Sequence, residues 1–139
     1  AWRQTTFYPF ALTSRLARGQ ALRVAIESPT YETAAYGTVP LVDGVATFDE
    51  ETGTGALFLV NRHQSESIDV EAGIEMLREV RILESHSLHD PDINAKNVLE
   101  DRERVRPKAN SSATVNGALL TVTLPAVSWT AIAFEVAKP

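Results

Sequence analysis

The chain has 139 residues, 44% of them hydrophobic and 22% charged, a size that suits one domain able to bury a core without staples. A net charge of −5 with interspersed signs excludes a nucleic-acid groove, which needs a basic stripe, and no apolar run reaches the length of a membrane span, so neither partner is expected. The absence of cysteine removes any disulfide framework or thiolate zinc site and fits a reducing, cytoplasmic setting.

The first residues, Ala1-Trp2-Arg3-Gln4, show neither an initiator Met nor a signal-peptide layout, so the chain reads as cut from something larger. Residues 5 to 19 form the one convincing helix. Thr5 or Thr6 can cap it, Pro9 falls in the first turn, and Tyr8, Ala11, Leu12 and Leu16 make an apolar stripe. Arg15 and Arg18 suit the C-terminal dipole and Gly19 the left-handed stop. A lone helix of this length is marginal in water and must pack on something.

From Gln20 onward the pattern is all β. Leu22, Val24 and Ile26 alternate with Arg23, Ala25 and Glu27; a loop with Pro29, Gly37 and Pro40 follows, then a short strand at Val45-Ala46-Thr47-Phe48 and a turn at Gly53-Thr54-Gly55. Ala56-Leu57-Phe58-Leu59-Val60 is apolar on both faces and is expected as a central strand with Phe58 in the core. Ile68, Val70 and Ala72 alternate with polar neighbours, and another strand starts at Val80-Arg81-Ile82-Leu83 after a turn near Gly73. From His89 to Ser112, Pro91, Pro107 and the charge run Glu100 to Arg104 predict a polar excursion over the surface.

The last stretch organises the fold. Asn116-Gly117 is a hairpin signal whose two residues both tolerate the positive φ of a type I′ turn. Ala118, Leu120, Val122 and Leu124 then share one face, Pro125 to Ser128 interrupt, and Thr130, Ile132, Phe134 and Val136 share a face again. These two arms predict a closing hairpin, and the chain as a whole predicts an antiparallel β-sandwich or jelly roll preceded by one short helix.

Several groups resemble catalytic or metal-binding sets. Asp49-Glu50-Glu51 offers the paired carboxylates of glycoside hydrolysis, but consecutive acids at a strand end diverge, and a solvated turn explains them. His86, His89 and Asp90 have the residue types of a metal site, yet His86 leaves a strand as His89 begins a loop, so no metal is expected. His63 beside Asn61-Arg62 reads as a strand-end polar residue, and Asn110-Ser111-Ser112 is a glycosylation sequon without a secretory context. There is no phosphate loop, nucleophile elbow or Cys/His pair.

Ala1 to Phe10, Ala17-Arg18-Gly19 and Ser28-Pro29-Thr30-Tyr31 resemble the end of the catalytic barrel and its exit in the α-L-arabinofuranosidases of glycoside hydrolase family 51. Phe58-Leu59-Val60-Asn61-Arg62 and Leu124-Pro125-Ala126-Val127-Ser128-Trp129 are similar to strings of the same enzymes' C-terminal sandwich. Thr130 to Phe134 departs from the usual ending, and the loop from Asp90 to Arg106 matches poorly. The resemblance divides the chain into residues 1–19, the last loop and helix of a (β/α)8 barrel, and residues 20–139, the sandwich. It implies a retaining exo-enzyme that removes terminal arabinofuranosyl groups from arabinan, arabinoxylan or their oligosaccharides, without cofactor, as a homo-oligomer. It places both catalytic glutamates upstream of Ala1, so no residue here is catalytic and the chain alone is expected to be inactive. Gln4 is implied to contact the arabinofuranose, its amide donating and accepting beside the carboxylates without adding charge, with Trp2 lining or supporting that subsite. The sandwich is then a structural partner of its own barrel. The competing expectation, an autonomous carbohydrate-binding module, needs exposed aromatics in a row, and two Trp are a thin supply.

Overall fold

The computed structural model describes residues 1–74 and 79–137 and lays one helix on a β-sandwich. In chain order the elements are α1 (Phe7–Leu16), β1 (Gln20–Leu22), β2 (Thr30–Thr33), β3 (Gly37–Pro40), β4 (Val42–Asp49), β5 (Thr54–Asn61), β6 (Ile68–Gly73), β7 (Val80–Leu88), β8 (Lys108–Ala109), β9 (Thr114–Asn116), β10 (Leu119–Leu124) and β11 (Ser128–Val136). The larger sheet has the order β1-β4-β5-β11-β7-β8, the smaller β6-β10-β9, and β2 and β3 form a separate ribbon. All pairings are antiparallel.

The core follows from strand period. In β10 alternate residues Leu120, Val122 and Leu124 are buried, and they meet Val42, Leu57, Leu59 and Ile132 of the larger sheet, with Ile68, Val70 and Ala72 of β6 packed alongside. Phe48 and Phe134 stack on that side at 6.5 Å, and Gly55 pairs with both of them. A Cβ on Gly55 would lie 2.3 Å from the Phe134 ring, so only glycine fits there. The other face of β5 and β11 presents Ala56, Phe58 and Ala131 to Leu16 and Ala17 at the end of α1 and to Trp129. The expected central strand, apolar on both sides, is therefore β5, with the helix on one face and the small sheet on the other.

Several expectations need correction. The helix runs over Phe7–Leu16 rather than 5 to 19, and neither threonine caps it: Thr6 is at the N-cap position without a side-chain bond. The first helical N–H groups are served by main-chain carbonyls, Phe7 N–H donating to Gln4 O and Tyr8 N–H to Thr5 O. At the other end Arg18 donates to Ser14 O and Ala17 O, and Gly19, at φ +74, turns the chain so close to β4 that a Cβ would meet Phe48 O at 2.1 Å. The strand expected through Ile26 stops at Leu22. The donors along which it would continue are taken by side chains, Val42 N–H by Ser28 Oγ and Gly44 N–H by Asp43 Oδ1. The expected loop from Pro29 to Pro40 contains the β2–β3 hairpin, which turns at Gly37 with φ +66.

The closing hairpin is also corrected. β10 pairs with β6 and β9, whereas β11 pairs with β5 and β7, so Pro125 to Val127 carries the chain from one sheet to the other. Asn61 holds this crossing: buried at the end of β5, its Nδ2 donates to Leu124 O, Pro125 O and Glu66 O, while Oδ1 accepts from His63 N–H. Val127 takes φ 45, a conformation a β-branched residue adopts only where its surroundings impose it. The turn before β10 is a two-residue loop, Gly117-Ala118, between paired Asn116 and Leu119. Gly117 has positive φ and Ala118 does not, the pattern of a type II′ rather than a type I′ turn, and Asn116 ends the strand instead of taking a central position. The turn expected beyond Gly73 falls on residues 75–78, outside the described residues.

Candidate functional site

Trp2 and Gln4 precede α1 on a segment with no strand or helix of its own. Trp2 is 40% exposed, its indole Nε1–H donating to Asn97 O at 2.9 Å, and Asn97 Nδ2 donates in return to Arg3 O at 2.9 Å. The Arg3 guanidinium lies over the Phe7 ring, 4.7 Å from its centroid. Gln4 is exposed. Its main-chain carbonyl accepts the Phe7 N–H at 3.0 Å, and among the described residues its side-chain amide has no hydrogen-bond partner. The segment is thus pinned through its backbone and one indole.

The other candidate residues are engaged elsewhere. Asp49 Oδ1 accepts from Glu51 N–H and Thr52 N–H, which makes the acidic run a turn. His86 approaches Glu84 at 3.4 Å, His89 Nδ1–H donates to Ala126 O, and Asp90 accepts from Arg104 at 3.1 and 3.2 Å and from Asp92 N–H at 2.9 Å. These three side chains do not converge, and no cluster able to hold a metal occurs among the described residues. His63 Nδ1 accepts from Ser65 N–H and Glu66 N–H, a strand-end role as expected. Asn110 Nδ2 is spent on Ser87 Oγ and Thr123 O.

Two carboxyls are shifted away from the acid that glycoside hydrolysis uses. Glu84 is held below its ordinary value chiefly by the hydrogen bond from Arg15, and Asp90 by that from Arg104, the reverse of the raised acid such a reaction needs. Exposed aromatics lie on separate elements: Phe7 and Phe10 on α1, Tyr31 on β2, Tyr36 at the β2–β3 turn and Trp2 on the leading segment. Trp129 is half-buried, stacked on Phe58 at 5.8 Å in the cluster that also takes Leu16 and Ala17.

Sequence reasoning missed Asn97. The excursion from His89 to Ser112 is mostly exposed as expected, yet Asn97 and Val105 within it are buried, and nothing in Lys96-Asn97-Val98 signals this. No helix among the described residues is long and apolar enough to cross a membrane.

Comparison with known proteins bears on these features. The family model described as the α-L-arabinofuranosidase C-terminal domain matches residues 1–128. An exo-α-(1→6)-L-arabinofuranosidase of Bifidobacterium longum is 42% identical over 135 residues, covering 95% of this chain and 26% of that protein. An intracellular exo-α-(1→5)-L-arabinofuranosidase of the same organism is 42% identical over 141 residues, covering 97% and 25%. The solved structure of a family 51 α-L-arabinofuranosidase from Bifidobacterium longum superposes with a TM-score of 0.90 at 41% identity, over 96% of this chain and 26% of that one. This chain therefore spans about a quarter of the length of the curated relatives it matches. With the leading segment, the helix and the strands through β10 inside the family model's match, the chain belongs to the family of α-L-arabinofuranosidase C-terminal domains.

Proposed function

We propose that this chain is the non-catalytic C-terminal part of a retaining, exo-acting α-L-arabinofuranosidase that removes terminal arabinofuranosyl groups from arabinan or arabinoxylan. In this reading residues 1–19 end a catalytic barrel, residues 20–139 support it as a sandwich, and the catalytic carboxylates belong to another part of the enzyme. Helix α1 suits a place between two layers: Leu12 and Leu16 are half-buried on one side, while Phe10 on the opposite side is 80% exposed and offers a ring to a neighbour. The relatives named intracellular support an intracellular setting for this enzyme.

Within that enzyme Gln4 contacts the arabinofuranose and Trp2 lines or supports the subsite. The observation that carries this reading is the division of labour at Gln4, whose main-chain carbonyl serves the helix while its amide stays unspent. In the full-length enzyme Gln4→Ala is expected to lower kcat/KM by about 1–3 kcal/mol, the range for a hydrogen-bonding group left without its partner, with the fold retained. Unchanged kcat/KM together with a lowered Tm would assign Gln4 to the helix start instead.

A further inference from the structure

Asn97 is 1% exposed although it sits in the polar excursion between β7 and β9. Part of its bonding is local, Nδ2 donating to Val105 O at 2.9 Å and Oδ1 accepting Val105 N–H at 2.8 Å. The rest reaches the start of the chain: Nδ2 also donates to Arg3 O, and Asn97 O accepts the Trp2 indole N–H. An amide nitrogen has two N–H groups, and both are used here, one for the excursion and one for the leading segment. Gln4 is consequently bracketed, with the carbonyl before it held by Asn97 and its own carbonyl held by Phe7 N–H. A segment ordered before substrate arrives does not have to be ordered at binding, which is what positioning contributes to a site.

We propose that Asn97 is a positioning residue: its clamp on Trp2 and Arg3 sets the direction of the Gln4 amide, so the excursion from the sandwich takes part in building the sugar subsite. This rests on the reading of Gln4 as a sugar contact. The test uses the full-length enzyme carrying this chain, with p-nitrophenyl α-L-arabinofuranoside as substrate and four forms: wild type, Asn97→Ala, Gln4→Ala and the double variant. Asn97→Ala is expected to lower kcat/KM about tenfold, and the loss to shrink below about twofold when Gln4 is already alanine. Trypsin cleavage after Arg3, at the carbonyl Asn97 holds, is expected to quicken about tenfold relative to cleavage after exposed Arg23, because local opening governs proteolysis. Equal fractional losses of kcat/KM in both backgrounds, with a lowered Tm, would mean that Asn97 is structural only and would overturn the proposal. If Asn97→Ala does not fold, Asn97→Asp keeps the acceptor for Val105 N–H but removes the donor to Arg3 O, and unchanged cleavage after Arg3 in that variant overturns the clamp. Gln4→Ala with undiminished kcat/KM overturns the sugar contact and the positioning role together, whereas a Gln4 loss with additive Asn97 effects overturns the positioning role alone.

Discussion

Replacing Phe58 by alanine tests the three-layer arrangement at its centre. Phe58 is 4% exposed, stacks on Trp129 at 5.8 Å and lies with Ala56 and Ala131 under the end of α1. Transfer of the ring out of water contributes roughly 1.5–3 kcal/mol, and the cavity left behind raises the total cost to about 3–5 kcal/mol. Neighbouring Ala56 and Ala131 are too small to fill the space, so movement of α1 or of the Trp129 ring must reduce it; α1 has no buried residue to anchor it and can settle inward. The lower half of the range is therefore expected, still a large share of the roughly 5–15 kcal/mol that holds a domain together. With a urea slope of about 2 kcal/mol per molar, the unfolding midpoint should fall by about 1.5–2 M, leaving the chain partly unfolded in water. Circular dichroism and Trp fluorescence should report the same transition. A midpoint shift smaller than that expected for about 1 kcal/mol would mean that helix and sheet are not packed through Phe58, and would refute the layer reasoning.

Gly117→Val should cost about 1–2 kcal/mol because a β-branched residue must adopt φ +63, while Asn116→Ala, outside the positive region, should stay within about 0.5 kcal/mol; urea midpoints of both variants check this. Open space around Gly117 makes backbone strain the sole cause. Glu84 is held below its ordinary value of 4.5 mainly by Arg15, at 2.5 Å, so the folded state binds this proton more weakly than the unfolded chain. Its contribution is therefore fully present above that ordinary value and lost as pH falls through the depressed one. Both side chains are partly exposed, so the stability gap between wild type and Glu84→Gln should be below about 1 kcal/mol at neutral pH and close in acid; a gap that widens in acid would contradict the assignment.

The phase of each well-buried strand was legible in the sequence because a one-residue slip would turn its apolar set outward. Leu120, Val122 and Leu124 in β10, and Ile68, Val70 and Ala72 in β6, face the core as their alternation requires. The centrality of β5 was legible because a strand apolar on both faces needs two covers. Pairing was not. Pro125-Ala126-Val127 suits a hairpin loop and a crossing between sheets equally well, and the residue that holds the crossing, Asn61, is 63 positions from Leu124. Alternation at Leu22, Val24 and Ile26 misled for a related reason: the donors that decide whether a ladder continues belong to Val42 and Gly44. The helix start moved inward because Gln4 and Thr5 carbonyls do what a threonine hydroxyl would otherwise do. At the candidate site, Trp2 and Gln4 came from resemblance to a family. Asn97, which holds Trp2 and Arg3 just before Gln4, is visible only once the excursion is folded back onto the leading segment.

The chain is proposed to support and complete a glycosidase site without supplying its chemistry. This role is tested most directly by p-nitrophenol release from p-nitrophenyl α-L-arabinofuranoside, measured for residues 1–139 alone and for the full-length enzyme at equal molar concentration. No release above the uncatalysed background by the 139-residue chain, alongside turnover by the full-length enzyme, is the predicted result. Turnover by the chain alone comparable to that of the full-length enzyme would place the catalytic carboxylates within it and contradict the account.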